Sequence, residues 1–380
     1  MWPSDGRFGA GPSLIRPAQV QALAHASELG TSHRKPPVKA RVASIKAGLC
    51  ELFSLPEGYE IALGNGGASV FWPLAAVSLI REQARFGTFG SFSKKFAKNA
   101  ASASWLKVST DEAPTGSVAI VQEDGSDAYG YPHNETSTGV TSPIYRVGTN
   151  EANGGTGTAD GTTGGSSTDS PDGALTLVDA TSIAGAVEVD LSLVDAYYFS
   201  PQKVFGADGG LWFAILSPAA IERSAELTAR ADRFVPEMLN LTAALEMSRK
   251  DNTVNTPAVA TLVLMDEQVQ WMLDQGGLPA MAAKARTGAQ LVQEWATSRS
   301  FARPFVDNPK WRSPVVTTVD LDESIDAGAL ATGLREAKIY DIEGYRGLGR
   351  NQLRVASFPS IETSDIEALL ACLDYVIERL

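Results

Sequence analysis

The sequence predicts an α/β protein: a mainly parallel sheet covered by helices, with a smaller α/β unit toward the C-terminus. Three observations lead there. Short strands such as Leu175–Val178 and Ala196–Phe199 are apolar on both faces, as expected when helices cover a sheet on each side. These strands alternate with segments whose apolar residues recur at helical spacing. After about Asn255 the texture changes to two long helices followed by further strands and helices. The 380 residues, 44% of them hydrophobic and 20% charged, suffice for one large and one small domain with a sizeable core.

In chain order, Pro17–Leu29 reads as a helix opened by proline and closed by Gly30. Val38–Leu52 reads as a second helix. Tyr59–Leu63 is a strand that runs through the turn Gly64-Asn65-Gly66-Gly67 into a helix from Ala68 to about Ile80. Further strands are expected at Trp105–Val108, Val118–Val121, Leu175–Val178, Ala196–Phe199 and Leu211–Leu216. Residues 147–172 contain almost no apolar side chain. Their composition predicts a flexible surface insertion, because burial cannot offset the ordering entropy. Helices at Pro257–Leu273 and Leu278–Thr297 follow, then a strand at Val315–Asp320, a helix at Ala327–Ala337, a strand at Gln352–Phe358 and a last helix at Thr363–Leu380. The expected organisation is an N-terminal segment (1–13), a large domain (14–257) and a small C-terminal domain (258–380).

The formal net charge is −12, which argues against a nucleic-acid binder or a binder of anionic membranes. Two Cys and three His without ligand spacing argue against a disulfide framework and a metal centre. With neither a targeting segment nor an apolar run of spanning length, the expectation is a soluble cytoplasmic protein.

Three features carry chemistry. Gly64–Ser69 joins a strand to a helix, so bare backbone N–H groups and a helix N-terminus can cradle a phosphate. The segment lacks the dinucleotide and Walker signatures, and alone it also fits a tight structural turn. Asp179 stands at the C-terminal end of a strand, the edge where open α/β sheets bind ligands; a helix cap is its ordinary alternative. Lys203 ends the run Tyr197-Tyr198-Phe199-Ser200-Pro201-Gln202 before the turn Gly206–Gly210. Pressed among aromatic residues, its amine is expected to have a depressed pKa, as a Schiff-base nucleophile needs. A snorkelling surface lysine is the alternative. Taken together, a cradle, a strand-end carboxylate and a lysine after the next strand are the parts of a pyridoxal phosphate site.

At these residues the chain resembles the fold-type I, class V aminotransferases, specifically the actinobacterial type of the phosphoserine aminotransferase family. The resemblance covers nearly the whole chain, through DGRFGAGPS (5–13), GTSHR (30–34), ELFSLPEGYEIALGNGGAS (51–69), HNETSTGV (133–140), DATS (179–182), DAYYFSPQKVFGADGGLW (195–212), NTVNTPA (252–258) and GRNQLRVASFP (349–359). It implies a mainly parallel seven-stranded sheet in the large domain and pyridoxal 5′-phosphate as cofactor. Lys203 would be the Schiff-base lysine and proton shuttle, and Asp179 the partner of the pyridine nitrogen. Ala68 and Ser69, with Gln202 nearby, would hold the cofactor phosphate. Phe92 would stack on the ring and Thr136 would bond its oxygen. Asn255 and Thr256 match a pair that reaches the phosphate from the other subunit, so a homodimer with composite sites is implied. Arg34 and Arg354 match positions around the substrate carboxylates, and His33, Arg34, Arg346 and Tyr345 are the remaining candidates for the substrate phosphate.

The implied reaction passes the amino group of L-glutamate to 3-phosphohydroxypyruvate, in serine biosynthesis, with the phosphohydroxythreonine step of pyridoxine synthesis as a second use. Two departures bear on substrate-phosphate recognition. Ala68 stands where many members carry Arg, and Tyr345-Arg346 where many carry His-Arg. The alternatives are another enzyme of the same fold, such as an alanine–glyoxylate transaminase or a cysteine desulfurase, and a non-catalytic binder of phosphorylated metabolites. Cys50 and Cys372 both lie in helical patterns, which disfavours a desulfurase.

Overall fold

The computed structural model describes residues 2–148 and 173–379. Helices α1 (Pro17–Ala24) and α2 (Pro36–Leu52) precede β1 (Glu60–Gly66), α3 (Ala68–Ser78), β2 (Gln83–Thr88), α4 (Ser91–Ala101) and β3 (Lys107–Glu112). Next come β4 (Ala128–Pro132), the short pair β5 (Asn134–Glu135) and β6 (Val140–Thr141), then β7 (Leu175–Asp179), β8 (Ala196–Phe199) and β9 (Gly210–Leu216). Helices α5 (Pro218–Ala229), α6 (Leu241–Ser248), α7 (Val259–Asp274) and α8 (Gly277–Thr297) follow. The chain ends with β10 (Ala302–Pro304), β11 (Val316–Leu321), α9 (Ala327–Glu336), β12 (Gln352–Ala356) and α10 (Thr363–Ile377).

The main sheet has seven strands in the order β1-β9-β8-β7-β4-β2-β3. Pairing is parallel from β8 through β7, β4 and β2 to β3. Strand β9 runs antiparallel to both its neighbours, so the C-terminal ends of β1, β2, β4, β7 and β8 share one edge with the start of β9. The central strands β4, β7 and β8 are buried throughout, as their apolar runs require. An antiparallel three-stranded sheet, β10-β11-β12, forms the second layer system. The N-terminal segment joins it: Tyr340 N–H donates to the Gly6 carbonyl at 2.7 Å and Ala356 N–H to that of Phe8 at 3.0 Å.

Several expectations shift. The first helix stops at Ala24, because Glu28 is drawn in to accept two bonds from Arg41 of α2, at 2.6 and 2.9 Å. Val118–Val121 is not a strand: the Val121 N–H bonds the Tyr145 hydroxyl at 2.9 Å instead of a neighbouring strand. The strand expected at Trp105–Val108 begins at Lys107 and lies at the sheet edge. Strands β2 and β4 and helix α4 carry too few apolar residues in period to stand out in the sequence. Their register comes from tertiary contacts. The Asp127 carboxylate accepts the N–H groups of Arg81, Glu82 and Gln83 at 2.7–2.8 Å, and the Phe86 ring of β2 lies where a Cβ on Gly130 of β4 would sit. The expected insertion lies outside the described residues except for Val147 and Gly148.

Candidate active site

A cavity of about 440 Å³ opens at the C-terminal edge of the parallel strands. The topology explains its lining, since each loop leaving β1, β2, β4, β7 and β8 opens on that edge. β1 delivers Gly67, Ala68 and Ser69 at the start of α3; β2 delivers Phe92 in the first turn of α4; β4 delivers Asn134 and Thr136. β7 supplies Asp179 and Thr181, β8 supplies Gln202 and Lys203, and Gly11 and Pro12 cross over from the N-terminal segment. A larger cavity, about 620 Å³, lies at the edge of the small sheet. Of its lining acids, Asp320 is already paired with Arg350 at 2.6 Å, whereas the first cavity brings a lysine amine and a buried carboxylate together.

Lys203 Nζ donates to the Ala10 carbonyl at 2.6 Å. Its pKa is drawn down to about 8, by burial first and then by the charge of Arg354, against the opposing pull of Asp179. The N-terminal segment sits so close that a Cβ on Gly11, where φ is +122°, would lie 2.4 Å from Nζ. Asp179 is only 5% exposed. Its Oδ2 accepts from Trp72 Nε1 at 3.2 Å, and its Oδ1 from Thr181 N–H at 3.0 Å and the Thr181 hydroxyl at 2.5 Å. Burial raises this carboxyl's pKa, while the Thr181 and Trp72 bonds pull it back. The Thr136 hydroxyl and the Asn134 amide both reach Ser182 Oγ, at 2.7 and 2.8 Å, and Asn134 Oδ1 is buried with no partner.

Arg354, on β12, leans over this wall, its Nη1 donating to the Thr136 carbonyl at 3.3 Å. Its Nε is buried without a partner, and burial lowers its pKa. Tyr345 stands between it and Phe92: the guanidinium lies 5.4 Å from the Tyr345 ring, and the Phe92 and Tyr345 centroids are 5.7 Å apart.

The cavity thus gathers Lys203, Asp179, Ala68, Ser69, Phe92, Thr136 and Gln202, with Arg354 beside it. It does not gather the others within one chain. Asn255 and Thr256 are exposed ahead of α7, with the Thr256 carbonyl accepting from Asn65 Nδ2 at 2.6 Å. His33 and Arg34 lie in the turn between α1 and α2, where burial and then the Arg34 charge lower the His33 pKa. Arg346 is exposed beside Tyr345. Sequence reasoning did not single out Trp72, Glu135, Thr181, Ser182 or the Gly11-Pro12 crossover. For Trp72 a signal exists, because it lies four residues from Ala68 and so on the same face of α3.

A model of the class-V aminotransferases matches residues 131–348. The chain is 47% identical to a phosphoserine aminotransferase of a Nocardioides species, over 100% of this chain and 97% of that one. It is 46% identical to the phosphoserine aminotransferase of Corynebacterium glutamicum, over 99% and 95%. The chain belongs to the phosphoserine aminotransferase branch of the class-V aminotransferases. A Cytophaga hutchinsonii phosphoserine aminotransferase superposes with a TM-score of 0.84 at 22% identity, covering 98% of this chain and 99% of that one. An alanine–glyoxylate aminotransferase from Nostoc gives 0.77 at 21% identity, over 99% and 96%. These two likenesses fix the fold, which is fold type I. Cys50 lies in α2 and Cys372 in α10, and neither lines the cavity.

Proposed function

We propose that the chain transfers the amino group of L-glutamate to 3-phosphohydroxypyruvate, giving 3-phospho-L-serine and 2-oxoglutarate, with pyridoxal 5′-phosphate as cofactor. The observation that carries the reading is that Lys203 and the buried carboxylate of Asp179 line one cavity together with the N-terminal residues of α3. The donor set fits the cofactor. Asp179 is a buried acid suited to a ring N–H⁺, the Thr136 hydroxyl to a ring oxygen, and the N–H groups of Ala68 and Ser69 with the Gln202 amide to a phosphate. When bound, the cofactor supplies an aldehyde that exchanges amines and a ring that takes up the electron pair released at the substrate α-carbon.

The rest of the work falls to the chain. Lys203 Nζ, with its pKa near 8, is neutral in about a tenth of molecules at pH 7. It can therefore act as nucleophile and as the base that takes the α-proton of the amino acid and returns it. Asp179 keeps the ring nitrogen protonated by its charge. The guanidinium of Arg354, whose Nε has no hydrogen-bond partner, is placed for the α-carboxylate that both substrates carry, by bidentate pairing. The Phe92 face closes one wall. Arg346, exposed beside Tyr345, supplies a charge for the substrate phosphate. His33, Arg34, Asn255 and Thr256 are proposed to act in a homodimer, where a second copy brings them to the partner's cavity. Water-soluble substrates fit a cytoplasmic enzyme, and among the described residues no helix is long and apolar enough to cross a membrane.

The test is turnover by the purified protein with L-glutamate and 3-phosphohydroxypyruvate, read as 2-oxoglutarate formed. Unphosphorylated hydroxypyruvate and glyoxylate serve as competing acceptors. A protein that prefers glyoxylate would refute the substrate assignment. One that leaves the cofactor spectrum unchanged on adding glutamate would refute transamination.

A further inference from the structure

Glu135 is 0% exposed, and every hydrogen-bond partner it has is neutral. Its Oε2 accepts from Ser93 N–H at 2.8 Å, the Ser93 hydroxyl at 2.9 Å and Phe92 N–H at 3.1 Å. Its Oε1 accepts from the Ser137 hydroxyl at 2.6 Å and Phe92 N–H at 3.2 Å. The Phe92 and Ser93 amides belong to the first turn of α4, where a helix leaves N–H groups without intrahelical partners. The residue before that helix is Gly90, which has no side chain to cap them. The cap comes instead from β5, some forty residues along the chain.

The fit is tight enough to dictate a glycine. A Cβ on Gly90 would lie 2.2 Å from Glu135 Cγ. A second bond ties the same two segments, with Ser91 N–H donating to Ser137 Oγ at 3.0 Å. Burying a carboxylate costs a great deal unless it is fully hydrogen-bonded, and here its bonds go to the turn that carries Phe92. Glu135 also lies in sequence between Asn134 and Thr136, both of which line the cavity.

We propose that Glu135 is a positioning residue for the transamination: its buried carboxylate locks the first turn of α4 and so fixes the Phe92 ring as a wall of the cofactor site. This rests on the reading that Phe92 packs against the cofactor. A carboxylate at a helix N-terminus gains from the helix dipole as well as from its hydrogen bonds. Glutamine keeps the shape, but loses the charge and turns an amide N–H₂ toward groups that are themselves donors.

The test is a double-mutant cycle on Glu135→Gln and Phe92→Ala, read as the dissociation constant of pyridoxal phosphate from the apoenzyme and as visible circular dichroism of the bound cofactor. Each single variant is expected to weaken binding by about tenfold, the scale of one charge-assisted bond, and to alter the dichroism. The double variant is expected to match Phe92→Ala alone, because the clamp has nothing left to place. Ser93→Ala, which removes one donor and keeps the charge, repeats the effect at smaller size if Glu135→Gln does not fold. Additive losses in the double variant would overturn the proposal. So would a Glu135→Gln protein that melts earlier but binds cofactor with wild-type affinity and dichroism. If Phe92→Ala itself leaves binding and dichroism unchanged, the reading of Phe92 fails and the proposal falls with it; loss in Phe92→Ala without loss in Glu135→Gln overturns the positioning role alone.

Discussion

The depressed pKa of Lys203 makes cofactor loading a pH-dependent measurement with a defined inflection. The neutral amine is the reactive form, and its pKa falls from 10.5 to about 8. At pH 7.5 roughly a quarter of the amines are then neutral, against about one in a thousand for an unperturbed lysine. The loading rate of apoenzyme with pyridoxal phosphate should rise tenfold per pH unit below about pH 7, bend near 8 and level off above it. A free lysine derivative treated with the cofactor in parallel corrects for the cofactor's own titration.

The sign of each neighbour gives a second check. Arg354 lowers the Lys203 pKa and Asp179 raises it. Arg354→Met should therefore move the bend to higher pH, and Asp179→Asn to lower pH. Stability follows the same linkage. Because the folded pKa lies below the unfolded one, the unfolded chain binds more protons between about pH 8 and 10.5, and apoenzyme stability rises with pH across that window. Below pH 8 the whole penalty is present, on the order of 3 kcal/mol. Lys203→Met should raise the apoenzyme melting temperature at pH 7 while abolishing turnover. A loading rate that climbs without a bend to pH 10, or an Arg354→Met profile displaced to lower pH, would refute the account of Lys203.

Other expectations follow from the same geometry. Asp179→Asn should retain cofactor but slow the glutamate half-reaction by orders of magnitude in stopped flow, since the amide cannot hold the ring nitrogen protonated. Arg346→Ala should raise KM for 3-phosphohydroxypyruvate by about one to two decades, the value of one charge-assisted bond to phosphate, and leave the glutamate half-reaction intact. Arg354→Ala should damage both half-reactions, because both substrates carry an α-carboxylate. Asp195→Ala should cost about 3–5 kcal/mol in urea unfolding, the scale for breaking a buried ion pair. It takes the carboxylate from buried Arg146, 2.8 Å away, and from the Thr176 amide and Ser217 hydroxyl.

What the sequence revealed and what it hid divide along one physical line. Strands β7 and β8 and helices α7 and α8 are legible because burial on every side, or on one long face, leaves a period in the residues themselves. Asp179 and Lys203 are legible because they close such strands. Strand β2 is not: Gln83, Arg85 and Gly87 interrupt its apolar pattern, and the Asp127 carboxylate anchors the amides of Arg81, Glu82 and Gln83 that lead into it. Glu135 is hidden for a related reason. In sequence it reads as one acid in a polar run, and only the meeting of β5 with a helix that starts at a bare glycine shows what it bonds. The site residues that read directly are those whose work is set by their own strand end. Those that hold another residue in place can be read only from the fold, because their partners are distant in the chain. Arg354 lies between these cases: the family motif marks it, but its buried Nε, which has no partner, becomes a reason to expect a bound carboxylate only once β12 is seen against Thr136.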